Sequence, residues 1–206
     1  MKKRFFGSLL AVAAFTAASV SQAAVHRVMP GGDIQAAIDG ALPGDTILVE
    51  PGEYTTSNPD FGLHITTDNL RLIGKVKRGQ GEDGKVIIRP SGTQITGVYA
   101  APDGCGPKVG VGECPFPDLK GFYIRGFTVL GFPDNGIQTR FVDGFKIIRN
   151  EVGNVDLNGI YPTISANGLV QNNVAYGTKD TAMWVAASEN VRVIGNDLSG
   201  SPIGLE

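Results

Sequence analysis

Three aspartates in the second half of the chain, Asp134, Asp156 and Asp180, stand just ahead of short apolar runs, with Arg140, Tyr161 and Lys179 near them. Carboxylates in such a setting hold a cation against a uronate sugar, and a Lys, Arg or Tyr beside them moves a sugar proton. Those are the needs of a polysaccharide lyase or epimerase, for which Ca²⁺ is the expected cofactor. The spacing meets them only in part. Asp134 and Asp180 stand two repeats apart, which on stacked β-coils separates their backbones by about 9.6 Å. That is too far for the two alone to share one Ca²⁺ at about 2.4 Å per ligand. Asp156 has to fill the middle from a position displaced by one residue. Aspartate is equally a routine turn residue.

A second candidate is a binding surface. If the runs after these turns are strands, alternation sends Ile137, Ile160, Met183 and Leu205 inward. Gln138, Tyr161, Trp184 and Glu206 then face outward. Tyr161 and Trp184 on neighbouring strands, about 4.8 Å apart, form a platform with polar ends on which a sugar ring lies flat. They also suit simple packing, on each other or beneath a loop. No metal site is expected from the cysteines: Cys105 and Cys114 have neither a second pair nor a histidine beside them. In an oxidising compartment the two should form a disulfide, closing a small loop within about 101–118 and contributing about 2–3 kcal/mol.

What positions these residues is a repeat. Four segments align without gaps, FYIRGFTV from Phe122, FKIIRNEV from Phe145, GLVQNNVA from Gly168 and VRVIGNDL from Val191, each starting 23 residues after the last. A second column follows in NGIQTR from Asn135, NGIYPTIS from Asn158, TAMWVAAS from Thr181 and IGLE from Ile203. Short β-rich runs at this period, bounded by Gly, Asn and Asp, are coils of a solenoid, each burying its apolar face only against its neighbours. Ile124, Ile147, Val170 and Val193 should form one buried ladder, and Val129, Val152, Ala175 and Leu198 another. Between them Phe127 gives way to Asn150, Asn173 and Asn196, a file of amides able to bond along the ladder and to turn backbone.

Earlier coils are less regular. DNLRLIGK from Asp68 echoes ENVRVIGN from Glu189, and TILVEPGEY and KVIIRPSG add strand-plus-turn units. The expectation is an all-β, right-handed parallel β-helix of about six or seven coils. GGDIQAAIDGAL supplies a cap over about 31–42: Asp33 as N-cap, then Ile34, Ala37, Ile38 and Ala41 on one helical face. The far end has no such cover, since Glu206 falls within a strand. That suits a fragment of a longer protein, a frayed coil or an end covered by a partner.

Lys2, Lys3 and Arg4 before an apolar run from Phe5 to Val20, with Ser21 and Ala23 following, read as a signal peptide over 1–23, leaving 24–206 as the β-helix domain. The expected location is periplasmic or secreted, and no later stretch is apolar enough for a membrane helix. Losing three cations with the leader takes the net charge from −2 to about −5, which argues against nucleic acid. With 29 Gly, 12 Pro and only 18% charged residues, the composition favours stacked strands and tight turns.

On these residues the chain resembles the pectin-lyase-like right-handed parallel β-helix superfamily, and more closely its exported bacterial members known only as parallel β-helix repeat proteins. GDTILVEPGEY looks like their first coil, and NGIQTR, VDGFKIIRN, NGIYPTIS and ENVRVIGN like their repeats. The resemblance implies the fold and a leaning toward extracellular polysaccharide. It does not imply one activity, for the superfamily holds pectate lyases, alginate epimerases, tailspikes, adhesins and a copper-site maturation protein. The His-containing DPHD motif of alginate epimerases is missing, and the only histidines are His26 and His64. They leave no nucleophilic triad and no copper cluster. Three functions remain: binding of polysaccharide or another envelope component through Tyr161, Trp184 and Gln138, a lyase or epimerase, and a structural repeat protein partnering another exported protein.

Overall fold

A computed structural model describes residues 22–106, 114 and 118–206. Nearly all of the expected leader, and the centre of the Cys loop, lie outside the described residues. The strands line up in three long parallel sheets. A seven-stranded sheet stacks Val25–Val28, Thr46–Val49, Arg71–Gly74, Tyr123–Arg125, Lys146–Ile148, Leu169–Gln171 and Arg192–Ile194. A five-stranded sheet stacks Gly52–Tyr54, Val86–Ile88, Phe127–Leu130, Glu151–Gly153 and Val174–Tyr176. A six-stranded sheet stacks Phe61–Ile65, Thr96–Ala100, Ile137–Arg140, Ile160–Thr163, Thr181–Met183 and Ile203–Leu205. The chain visits the three in turn, so each coil's backbone groups bond to the coils on either side. This is the expected parallel β-helix, with six rungs from Thr46 onward and a seventh from the N-terminal strand. Among the described residues no helix is long and apolar enough to cross a membrane.

Both apolar ladders form. Ile124, Ile147, Val170 and Val193 pair in register, and the file continues downward through Leu72 and Ile47. Leu72 and Ile124 are far apart in sequence yet directly stacked, because the intervening chain makes its own excursions and returns. Ile88, Val129, Val152 and Ala175 make the second file, with Leu198 packed at its end. The core between the sheets is a continuous column of fully buried aliphatic and aromatic side chains.

The asparagine file lies at the bend between the seven- and five-stranded sheets. Asn150 N–H donates to Asn173 Oδ1 at 2.9 Å, and Asn173 N–H to Asn196 Oδ1 at 2.9 Å. Each side-chain amide also donates to a carbonyl of the strand before it: Asn150 Nδ2 to Ile124 O, Asn173 Nδ2 to Ile147 O and Asn196 Nδ2 to Val170 O. Phe127, at the bottom, offers its N–H to Asn150 Oδ1. A polar side chain thus repeats inside the solenoid with its donors and acceptor engaged. The bends recur in the same way. Gly126, Arg149, Asn172 and Gly195 all have positive φ (77°, 53°, 54°, 62°), as do Gly131, Asn154, Gly177 and Gly200 (76°, 55°, 62°, 75°). Glycine and asparagine tolerate that left-handed region best. At the corner entering the six-stranded sheet, a Cβ on Gly136 would overlap the Val152 side chain and the Gly159 carbonyl.

The cap helix runs over Ile34–Asp39 with Asp33 as its N-cap, accepting from Gln35 N–H and Ala36 N–H. Ile34, Ile38 and Ala41 are buried on the first rungs. Gln35 is buried too, because its side chain clamps the backbone of His64, Oε1 accepting from His64 N–H at 2.8 Å and Nε2 donating to His64 O at 3.0 Å. Asp45 ties the same end together, accepting from Ala24 N–H and Leu42 N–H and lying 2.8 Å from His26 Nε2. At the opposite end Leu205 pairs in register with Met183, as alternation placed it. It is 53% exposed, since its rung has a neighbour on one side only.

These contacts make two expectations measurable. Asn173→Ala leaves the Asn150 N–H without its acceptor and the Ile147 carbonyl without its donor, so urea denaturation should show a loss of about 2–3 kcal/mol. Asn196→Ala, at the half-buried end of the file, should cost less. The His26 contact and the two backbone donors lower the Asp45 pKa from 3.8 to about 2. A carboxyl with a depressed folded value contributes stability above its unfolded pKa and loses it as pH falls toward the folded one. The stability gap between wild type and Asp45→Ala should therefore be full at pH above about 5 and shrink as pH falls toward about 2.

Candidate functional site

The outward face of the six-stranded sheet carries one continuous file of side chains capable of recognition. Strand alternation places Leu63, Val98, Ile137 and Ile160 in the core, and the residue after each points out. Register aligns His64 with Tyr99, Tyr99 with Gln138 and Gln138 with Tyr161. Trp184 follows one position beyond the Ile160–Met183 pair, its N–H donating to Ile160 O. The upper part matches expectation: the Tyr161 and Trp184 rings stack with centroids 4.9 Å apart and planes 14° from parallel. Both remain partly exposed.

The lower part is covered. Cys105 and Cys114 are disulfide-bonded, and both are buried against side chains of this sheet. Tyr99 donates through its hydroxyl to Cys105 O at 2.9 Å, and Arg140 Nη1 donates to Gly106 O at 3.3 Å. Phe61, Tyr99, Ala101, Cys105, Cys114 and Phe141 form an apolar cluster outside the coil, with Ile164 against it. Phe61 stacks on Tyr99 at 4.7 Å and tilts against His64 at 4.9 Å. Gln138, expected as an exposed binding residue, is only 3% exposed: it stands in register between Tyr99 and Tyr161, and its Oε1 accepts from Asn135 Nδ2. Arg140 is 6% exposed. Alternation gave the direction of Gln138, but nothing in the period revealed the burial of either side chain.

Burial sets the chemistry of this covered patch. It pushes the Tyr99 hydroxyl up to about 12, against a downward pull from Arg140. Burial also lowers His64 from its usual 6.5, outweighing Asp103, Asp39 and Asp60. His64 Nε2 has no hydrogen-bond partner. His64 is thus a neutral ring wedged between aromatics at neutral pH, a role the sequence did not suggest. Its equivalence to Tyr161 is hidden because the intervals His64–Tyr99 and Tyr99–Gln138 are both longer than the Gln138–Tyr161 interval, and unequal to each other.

The titratable residues do not converge. Asp156 and Lys179, one repeat apart, form an exposed ion pair at 2.7 Å. Asp134 accepts from Thr96 Oγ1 at 3.3 Å. In its column the next residue is Leu157, whose N–H donates to Asp134 O and whose side chain is 44% exposed. Leu157 thereby separates Asp134 from Asp180. Arg140 is the last residue of its strand, at the opposite end from these turns, where its Nη1 donates to Gly106 O. Among the described residues no group of three or more His, Cys, Asp or Glu is placed to hold a metal ion. The structure thus joins Tyr161 to Trp184, with Gln138 buried on the rung beside Tyr161, and Asp156 to Lys179, and does not gather the three aspartates with Arg140.

No family model matches the sequence, and a search of curated proteins returns no relative. Among solved structures the chain is similar to the crystal structure of pectate lyase Pel9A, with a TM-score of 0.62 and 14% sequence identity over 90% of this chain and 51% of that one. The chain thus spans about half the length of that enzyme. At this identity the likeness speaks for architecture alone, and with the three stacked parallel sheets it establishes that the chain has the pectin-lyase-like right-handed parallel β-helix fold.

Proposed function

We propose that this protein is exported and binds polysaccharide on the outer face of its six-stranded sheet, with Tyr161 and Trp184 as the platform for the sugar rings. The observation that carries this is the near-parallel stack of the two rings on adjacent rungs, partly open to solvent and aligned with the solenoid axis. Flat apolar ring faces with a phenol hydroxyl and an indole N–H at their edges match the two-sided character of a sugar. The disulfide and the fold suit an oxidising, extracellular setting, and the leader over 1–23 provides the route. A lyase or epimerase acting through Asp134, Asp156, Asp180, Lys179 and Arg140 with Ca²⁺ has less support. Lys179 already holds Asp156, Leu157 intervenes between the other two carboxylates, and Arg140 is covered.

Affinity electrophoresis against pectate, alginate and neutral glycans, with and without Ca²⁺, tests the proposal. One of these gels should retard the wild-type protein. Trp184→Ala should weaken that retardation by about fivefold to tenfold, the equivalent of about 1–1.5 kcal/mol of ring stacking, without lowering the denaturation midpoint. Equal retardation of wild type and variant defeats the platform. Release of an unsaturated product absorbing in the ultraviolet would instead favour a lyase.

A further inference from the structure

The opposite side of the molecule holds a cleft of about 580 Å³ where the seven-stranded sheet meets the five-stranded one. Lys75, Lys77, Arg78, Arg125 and Arg149 line it, together with a single carboxylate, Glu50. Five cations against one anion give the cleft a formal charge of +4 in a chain whose net charge is −2. Glu50 is engaged by Lys75 at 2.6 Å and by Arg27 at 2.8 Å. Lys77, Arg78, Arg125 and Arg149 form no ion pair among the described residues.

The cleft is built by the fold. After Arg71–Gly74 the chain leaves the coil, carrying Lys75, Lys77 and Arg78, and returns through the short 3₁₀ helix Gly81–Gly84 to Val86. Lys77 N–H donates to Gly84 O at 2.8 Å and pins the excursion. Arg125 pairs in register with Ile73, and Arg149 stands one coil above Gly126, its carbonyl accepting from Gly126 N–H. A Cβ on Gly74 or Gly126 would overlap the carbonyl of the other, so neither position can carry a side chain between the walls. Arg149 is also the one long side chain in its file of positive-φ residues, where the others are Gly126, Asn172 and Gly195. Four cations without an ion-pair partner among the described residues, facing one cleft, repel one another at a cost to the folded state. A ligand of high negative charge density removes that penalty.

We propose that this cleft binds a ligand carrying two phosphoryl groups. The volume falls within the range of small-molecule sites, about 300–1,000 Å³. A uronate ring brings one negative charge, whereas a phosphoryl group brings up to about two, so two phosphoryls match the cleft's charge within its size. The three guanidinium groups are suited to bidentate contacts with phosphoryl oxygens. Such groups come from a free phosphorylated molecule or from a phospholipid headgroup, and the shared chemistry is the same. This site lies on a different sheet from Tyr161 and Trp184 and stands without the glycan proposal.

Calorimetric titration of the full chain with inorganic tripolyphosphate is the test, with trigalacturonate as the carboxylate comparison and vesicles containing cardiolipin, whose headgroup carries two phosphoryl groups, as the lipid arm. Tripolyphosphate should bind saturably, and Arg125→Ala and Arg149→Asn should each weaken it about tenfold or more. Trp184→Ala should leave it unchanged. Arg149→Asn places in the turn the residue found at Asn172 of the same file, and thermal melts of each variant confirm folding. Vesicle co-sedimentation lost in the same variants supports the site with a headgroup as the source. Absence of both tripolyphosphate and vesicle binding, undiminished binding by folded variants, or tighter binding of trigalacturonate than of tripolyphosphate overturns the proposal.

Discussion

Everything in this molecule depends on the backbone hydrogen bonding of each coil to the next in constant register. A coil alone has no partner for its strand N–H and C=O groups and no second surface for its apolar side chains. Once stacked, every column is one residue position seen repeatedly, so whatever stands at that position must tolerate its own kind above and below. Ile, Val and Leu do so by packing. A polar residue does so only if its donors and acceptor are used along the stack, which is what Asn150, Asn173 and Asn196 achieve. A second, shorter file joins Asn135 and Asn158 at the entrance to the six-stranded sheet, where Asn158 Nδ2 donates to Asn135 Oδ1 at 3.0 Å; it stops there, and the buried Asn158 Oδ1 has no partner among the described residues.

The same rule explains what was legible in the sequence. From Phe122 onward the coils keep one length, shortened by a residue only at the last step from Thr181 to Ile203, so the pairing of Ile124 with Ile147 and Val170, and the asparagine file, were readable as a period. Before Phe122 the chain makes excursions of differing length, and register survives in space while vanishing from the spacing. His64 and Tyr99 belong to the file of Tyr161 and Trp184, but no fixed interval says so. Periodicity also gives direction without environment. It sent Gln138 outward correctly, yet did not show that Gln138 is buried between its ring-bearing neighbours Tyr99 and Tyr161, or that Cys105 and Gly106, which lie outside the repeat, bond Tyr99 and Arg140. The carboxylates failed as a group for a local reason: a one-residue displacement puts Asp156 in the column of Lys179 rather than in that of Asp134 and Asp180.

A solenoid built this way separates stability from surface chemistry. Inward positions repeat the same few residue types, whereas outward positions vary freely from rung to rung. The six-stranded sheet uses that freedom for aromatic rings, some covered by the disulfide segment and some left open. The seven-stranded sheet uses it for cations: Arg71, Lys146 and Arg192 share one outward column, with Arg71 placed over the Tyr123 ring at 4.7 Å. The two faces therefore differ in the kind of ligand they suit, although they share every coil and the same core.

That shared core also limits how the faces can influence each other. A ligand shifts a second site only through an element with two arrangements whose balance both sites bias. Between the Tyr161–Trp184 stack and the cationic cleft lie fully buried Ile124, Ile147, Val152 and Ile160, packed in files that any relative sliding of coils would break on every sheet at once. Register slippage by one residue would turn all of these inward side chains outward. A rung therefore has one arrangement, not two, and occupation of one face leaves the affinity of the other as it was. Coupling between the faces would need a mobile element common to both, and the segments that border them are different: the disulfide-closed excursion on the aromatic side, and the excursion pinned by Lys77 and Gly84 on the cationic side.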